Sequence, residues 1–328
     1  MNSRIAELQG KRRYASVLMT YACTIACDHC CFGCSPRKPP VVIPVADAVE
    51  CLAEFHQLDR LTHIAGGEPF TFYGHLQAIL RAAFERGVPP HFVESNCSWC
   101  MSDGLTRERL QELKSLGVLW MLISTDHYHL RHVPLENVLR GVTIAEEVFG
   151  PGTTMGRATR EELERTLEMG RDETRYADHI REHPPKLVGR AKRVLARYVA
   201  PRPISELDLE TGWGLNPANT CDAEWDPLWE IHADPYGNLQ TNCGIILGNH
   251  RETPIAELMQ TWHERHPVLK GLSRRGVAYL VEAAAERGFV LDGRYPQKCY
   301  LCAELRTHLR NGNGSYRDVF GPDEVYQE

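Results

Sequence analysis

Cys23-Thr24-Ile25-Ala26-Cys27-Asp28-His29-Cys30 is the stretch that decides how this chain reads. It is a C-x3-C-x2-C tract, and it follows at once on the apolar run Ala15–Ala22, which predicts a β-strand. Three thiolates on one loop hold three irons of a [4Fe–4S] cluster and leave the fourth iron without a protein ligand. An electron-carrying ferredoxin fills all four positions, so the open corner points to a substrate or cofactor binding there. The competing reading is zinc. The Cys-x2-Cys pairs at 27/30, 31/34, 97/100 and 299/302 have knuckle spacing, which makes a zinc-stabilised binding protein the alternative of another class.

Outward from the tract the chain alternates strand and helix. Short apolar runs at Leu61–Ala65, His91–Ser95 and Val118–Ser124 predict three further strands. Amphipathic stretches at Val45–Leu58, Tyr73–Arg86, Leu105–Leu116 and Leu135–Val148 predict the helices between and after them. This repetition gives parallel strands joined by crossover helices. The predicted strands end at Cys23, Gly66-Gly67-Glu68, Asn96-Cys97 and Asp126. Loops at the C-terminal ends of parallel strands converge on one rim, where the sites of α/β folds are built.

Beyond Gly150 the period weakens. Thr153–Arg157 predicts a fifth strand, Glu161–Met169 a helix, and Leu187–Val188 the core of a sixth strand leading into Gly189-Arg190. Pro201, Pro203 and residues 211–220 read as a linker. Trp229–Ala233 and Leu239–Asn242 then flank Asp234-Pro235-Tyr236-Gly237, the turn chemistry of a hairpin tip. Helices near Ile255–Glu264 and Val277–Arg287 lead to Cys299 and Cys302. The expected division is an α/β barrel over residues 1–200 and a small hairpin-plus-helix domain over residues 201–328.

Composition bounds the function classes. A chain of 328 residues has a prior of about two domains. With 43% hydrophobic and 24% charged residues it is an ordinary globular chain, which excludes a collagen, a disordered tail or a small disulfide scaffold. Lys and Arg number 37 against 43 Asp and Glu, a net charge of −6 with no basic tract, so nothing points to nucleic acid or an anionic membrane. No apolar run reaches the ~20 residues of a spanning helix, and Met1-Asn2-Ser3-Arg4 opens no signal peptide. The expected location is the cytoplasm, where 12 cysteines read as metal ligands or redox groups rather than disulfides.

The cysteine tract resembles the signature of the radical S-adenosylmethionine (radical SAM) superfamily, C-x3-C-x-Φ-C with Φ usually aromatic. His29 stands at Φ, where the resemblance implies packing against the adenine. The superfamily's Gly-Gly-Glu-Pro after the second strand is present as Gly66-Gly67-Glu68-Pro69. Residues without a Cβ let the backbone approach the methionine moiety. Ser124-Thr125-Asp126 resembles the position whose polar side chains meet the ribose or carboxylate of SAM, and Arg157, with Arg190 as its rival, is expected to pair with that carboxylate. The resemblance implies a partial (β/α)6 barrel, with Cys23, Cys27 and Cys30 holding the SAM-binding cluster.

A second set, Cys221, Cys243, Cys299 and Cys302, resembles the twitch module, the shortened relative of the SPASM domain, which binds one auxiliary [4Fe–4S] cluster. A full SPASM domain has further cysteines downstream, and this chain has none after Cys302. A four-cysteine zinc site is the alternative, because the same cage suits both metals.

By resemblance, the reduced cluster cleaves SAM to a 5′-deoxyadenosyl radical that abstracts hydrogen from an unactivated C–H bond. The substrate radical is then oxidised, epimerised or decarboxylated, an oxidoreductase, epimerase or lyase outcome. Cys97, as hydrogen-atom donor, and His129, on the rim, are the catalytic candidates. The expected partners are a small-molecule substrate and an electron donor such as flavodoxin or ferredoxin, with no nucleic acid and no membrane. Peptide-modifying relatives generally carry an N-terminal recognition domain, and only Met1–Ala22 precede Cys23. That favours an aminocyclitol, sugar or nucleoside of natural-product biosynthesis, with ribosomal peptide modification as the runner-up.

Overall fold

The computed structural model describes residues 13–152, 154–155, 159–210, 228–312 and 316–327. The chain divides into two compact units, one of residues 1–27, 34–176 and 233–237, the other of residues 28–33, 177–232 and 238–328. Cys221 and Arg157, and most of the predicted linker, lie outside the described residues.

The first unit is a parallel α/β array. Strands β1 (Tyr14–Leu18), β2 (Leu61–Ala65), β3 (Phe92–Ser95), β4 (Trp120–Ile123) and β5 (Thr154–Met155) lie in the order β5-β4-β3-β2-β1, all pairs parallel. The crossovers are helices α1 (Val45–Gln57), α2 (Tyr73–Glu85), α3 (Asp103–Ser115) and, after the short α4 (His127–Leu130), α5 (Leu135–Phe149). These are parallel strands joined by crossover helices, as the alternation of strand and helix predicts. Strand β1 stops short of the expected Ala22. There the chain pairs Thr20 with Val42 and Ala22 with Ser35 as single bridges.

Alternation along the strands separates two faces. Thr62 meets the helices, with its Oγ1 3.3 Å from Nε2 of His56 on α1. The opposite, inner face is floored by rings. His63 stacks on Phe92 at 4.4 Å, Phe92 on Trp120 at 5.1 Å, and Tyr14 stands edge-on to His63 and Phe92 at 6.4 Å. The partners are in register, His63 beside Phe92 and Phe92 beside Trp120, so the ladder follows directly from strand pairing.

After β5, α6 (Arg160–Arg171) opens on a capping box between Thr159 and Glu162. Helix α7 (Glu173–Glu182) follows without having been predicted, because Glu-Thr-Arg-Tyr-Ala-Asp-His-Ile-Arg-Glu offers only Tyr176 and Ile180 as large apolar anchors.

In the second unit the expected sixth strand is absent. Leu187 and Val188 are buried but unpaired with any strand; the Leu187 N–H donates to Oε1 of Gln297 at 2.9 Å, and the chain enters α8 (Gly189–Val194). The start of the predicted linker is also structured, since β6 (Arg202–Pro203) pairs antiparallel with β10 (Arg294–Tyr295). Between them come β7 (Glu230–Ala233), β8 (Asn238–Gln240) and β9 (Ile246–Asn249), with β8 and β9 antiparallel across a register shift between Leu239 and Gln240. Helices α9 (Ile255–Thr261), α10 (Pro267–Ala285), α11 (Lys298–Asn311) and α12 (Asp323–Tyr326) complete the unit. Helix α10 begins before the expected Val277 because it is two helical segments joined at Gly276, whose φ of 54° breaks the sequence period. Among the described residues no helix is long and apolar enough to cross a membrane.

Phe92 lies at the centre of the ring ladder and is 1% exposed. Phe92→Ala is expected to lower the stability of this unit by about 3–5 kcal/mol, read as an earlier midpoint of its urea transition.

Candidate active site

The rim is built by backbone pairing that continues past the ends of β1 and β2. Gly67 N–H donates to the Thr20 carbonyl at 2.7 Å and Glu68 N–H to the Ala22 carbonyl at 3.1 Å. A Cβ on Gly66, whose φ is 135°, would lie 2.6 Å from the Thr20 carbonyl oxygen, and one on Gly67 would overlap the Ala22 carbonyl. The two glycines are therefore required by the close approach of the second loop to the chain that enters the cysteine tract.

Glu68 is buried just beyond them and organises the neighbouring loop. Its Oε1 accepts from the Phe70 N–H at 3.2 Å and the Ser95 hydroxyl at 3.0 Å, and its Oε2 from the Asn96 N–H at 2.8 Å. Burial nonetheless pushes its carboxyl up to about 7, with those hydrogen bonds pulling the other way. Pro69 starts a tight turn over Pro69–Phe72, and Phe70 stacks on Trp99 at 4.0 Å, whose Nε1 donates to Ser95 Oγ at 2.9 Å.

Asn96 carries this network to the cysteines. Its Nδ2 donates to Thr24 Oγ1 at 3.1 Å and lies 3.7 Å from Cys23 Sγ. Ser124 joins through its N–H, which donates to the Ser95 carbonyl at 3.0 Å. Asp126 caps α4 by accepting from the N–H groups of Tyr128 and His129, and its Oδ2 is 2.7 Å from His129 Nδ1. The His129 charge in turn opposes the upward shift of Glu68, which places the two groups within electrostatic reach.

Cys97 follows Asn96 but turns elsewhere. Its φ is 61°, and its Sγ lies where a Cβ on Gly141 of α5 would be, beside Cys100. The hydrogen-bonded Cys100 thiol, and after it burial, hold the Cys97 thiol protonated well above the usual range. The structure brings Cys97 together with Cys100 and the helix layer, not with His129.

In the second unit, Gly189 and Arg190 brace the end of the cysteine tract. Arg190 N–H donates to the Cys30 carbonyl at 3.0 Å and its Nη2 to the Gly33 carbonyl at 2.8 Å. Gly189, at φ 53°, has no room for a Cβ against the carbonyls of Cys30 and Cys31. Arg190, considered as a partner for the SAM carboxylate, is thus a buried support of the loop backbone. His29 in the same loop is half-buried.

In the second cysteine set, Cys243 and Cys302 lie beside a buried guanidinium. Cys299 and Cys302 open α11, Cys243 precedes β9 with its Sγ 3.2 Å from Thr241 Oγ1, and Arg306 of α11 donates to the Cys243 carbonyl and the Tyr326 hydroxyl. Burial disfavours the charge of Arg306, but Tyr326, Cys302 and Cys243 together hold it protonated. Burial raises the Cys243 and Cys302 thiols, with Arg306 the largest opposing influence on each. Among the described residues no carboxylate pairs with Arg306, and its buried Nε has no hydrogen-bond partner. A buried cation beside cysteines, without a carboxylate, calls for thiolates as its counter-charge.

The profile described as the radical SAM superfamily matches residues 17–170. Residues 17–170 are a radical SAM domain. Among curated proteins, the peptide biosynthesis protein YydG of Bacillus subtilis (strain 168) is 27% identical over 127 residues, spanning 38% of this chain and 39% of YydG. Among solved structures, BtrN in complex with AdoMet and 2-DOIA is 14% identical, covering 81% of this chain and 87% of BtrN at a TM-score of 0.43. Streptococcus suis SuiB bound to S-adenosylmethionine is 14% identical, covering 82% of this chain and 70% of SuiB at a TM-score of 0.35.

A radical SAM domain binds a [4Fe–4S] cluster and SAM, and the residues present suit both. Cys23, Cys27 and Cys30 carry free thiols on one tract, and the Gly66-Gly67 turn, packed without Cβ atoms against the Thr20 and Ala22 backbone, is held beside it. The thiols around Arg306 suit a thiolate-ligated centre by the charge they would supply. Sequence reading placed Asn96 on the rim but gave it no role, and passed over Ser95 and Arg306. A single Ser or Asn at a strand end carries no pattern of its own, whereas Arg306, spaced four from Cys302, is a signal the sequence does carry, since both stand on α11.

Two measurements check this geometry. Gly67→Ala is expected to lose SAM affinity by at least about tenfold on reconstituted protein, while Gly74→Ala, where a Cβ meets nothing within 4 Å, leaves it unchanged. The Glu68 carboxyl is protonated in the folded chain up to about 7 but ionises earlier when unfolded, at an ordinary value of 4.5, so folding binds a proton between those values. Stability is expected to fall as pH rises from 4.5 to 7, and Glu68→Gln to remove that slope in denaturant titrations.

Proposed function

We propose that this protein is an enzyme that takes a hydrogen atom from a small polar metabolite, an aminocyclitol, sugar or nucleoside, and converts the resulting substrate radical. Cys23, Cys27 and Cys30 would hold the SAM-binding cluster, and Cys243, Cys299 and Cys302, with Cys221, an auxiliary one. When bound, the cluster and SAM supply a 5′-deoxyadenosyl radical, reduced from outside by a one-electron donor such as flavodoxin or ferredoxin. The chain's own residues bind and orient. Glu68 fixes the Asn96 loop, and Asn96 Nδ2 lies 3.7 Å from the Cys23 sulfur. The Asp126–His129 pair offers a hydrogen-bond donor or proton carrier at the rim.

The observation that carries the substrate side is the inner face of the sheet. His63, Phe92 and Trp120 close it below, and the next layer presents Glu94 and Leu122, both half-buried. A shallow layer with a polar group on an apolar floor suits a compact hydroxyl- or amine-bearing molecule. The likeness to YydG, described as a peptide biosynthesis protein, favours a second reading in which the substrate is a peptide.

Anaerobic reconstitution tests the assignment. The wild type is expected to be brown, to hold about eight irons per chain and to release 5′-deoxyadenosine from SAM under dithionite. Alanine at Cys23, Cys27 or Cys30 removes about half the iron and all 5′-deoxyadenosine release. Alanine at Cys243, Cys299 or Cys302 removes the other half and leaves reductive SAM cleavage in place. A colourless zinc protein that leaves SAM intact would overturn the reading. A mass change in a short peptide, with none in a deuterated aminocyclitol and nucleoside panel, would move it to the second.

A further inference from the structure

The inner face of the parallel sheet carries a carboxylate that the fold does not neutralise. Glu94 on β3 stands on the same face as Phe92 and Trp120, one layer above the ring floor and beside Leu122 of β4. Its Oε1 lies 3.2 Å from Nε2 of His63 on β2. His63 is 1% exposed and cannot move: it is clamped between the Phe92 ring stacked on one side and the Tyr14 ring edge-on to it. Glu94 by contrast is 35% exposed. Among the described residues no Lys or Arg pairs with Glu94.

A half-buried carboxylate over an apolar floor is costly unless a cation or strong donor meets it. The protein spends an inner-face position on it and supplies only a histidine behind it. We propose that Glu94, positioned by His63, is the substrate-recognition group of this enzyme and that it binds a primary ammonium group, so that the substrate is an amine rather than a neutral polyol. The ammonium donates to the Glu94 carboxylate, beside which His63 Nε2 lies at 3.2 Å. A charge-assisted contact of this kind is stronger than one to a hydroxyl. The inference rests on the small-metabolite reading above and narrows it to amino-substituted members.

The probes are scyllo-inosamine and scyllo-inositol, which differ by one amine in place of one hydroxyl. Binding of each to the SAM-loaded, reconstituted protein is measured by titration calorimetry, with uncoupled 5′-deoxyadenosine release followed alongside. The wild type is expected to prefer the amine by at least about tenfold. Glu94→Gln keeps the size of the side chain and is expected to bring the affinity for the amine down to that for the polyol, with an unchanged circular dichroism spectrum reporting that the variant is folded. Glu94→Ala should behave the same way. Equal binding of both probes to the wild type, or a preference that survives Glu94→Gln, overturns the role of Glu94 and leaves the metabolite reading standing. Loss of both probes together in the variants marks a packing role and overturns it as well. If neither probe binds the wild type, the small-metabolite reading falls, and the amine inference with it.

Discussion

The site depends on one short piece of backbone pairing. Two N–H groups, of Gly67 and Glu68, extend the parallel ladder of β1 and β2 past the point where both strands have ended, onto the carbonyls of Thr20 and Ala22. That pairing sets the Gly-Gly-Glu-Pro turn against the chain leading into the cysteine tract, and it leaves no space for a Cβ at either glycine. It also presents Glu68 to the next loop, where the carboxylate collects the Asn96 N–H and the Ser95 hydroxyl. Three consecutive strand ends are thereby tied into one rim, and a side chain of the third reaches back to Cys23.

Buried charge is a second theme of the molecule. Glu68 is compensated chiefly by hydrogen bonds, with a smaller contribution from His129, Arg306 by cysteines and a tyrosine, and Glu94 by a histidine. None of the three has an opposite permanent charge among the described ion pairs. Isolated charges of this sort cost stability, and structures keep them where a ligand completes the balance. On the proposed function the completing charge for Arg306 would come from metal-bound thiolates, and for Glu94 from a cation carried in by the substrate.

Much of the first unit is legible because its signals are local. Strand β2 is found at Leu61–Ala65 as predicted, and α1, α2 and α5 begin at Val45, Tyr73 and Leu135 as the apolar period indicates. The second unit was read less well for a physical reason. Its elements are short, and tertiary partners rather than periodicity hold them: β6 exists through pairing with β10, and Leu187 is anchored by the Gln297 side chain. Helix α7 has too few apolar residues to announce itself, and Gly276 hides the first half of α10.

What the sequence alone determined is the inventory of chemistry: three cysteines at C-x3-C-x2-C spacing after a strand, glycines where a Cβ cannot fit, and an alternation of strand and helix that places loop after loop on one rim. Spacing along the chain is enough for these because ligand geometry and strand pitch are local properties. Only the tertiary structure decided direction. It turned the Cys97 sulfur toward Gly141, committed Arg190 to the backbone of the Cys30 loop, and set Asn96 beside Cys23 and Glu94 on the inner face. Which way a side chain points at a strand end depends on register and on the one or two φ angles beyond it, and those are settled by packing between elements far apart in the chain.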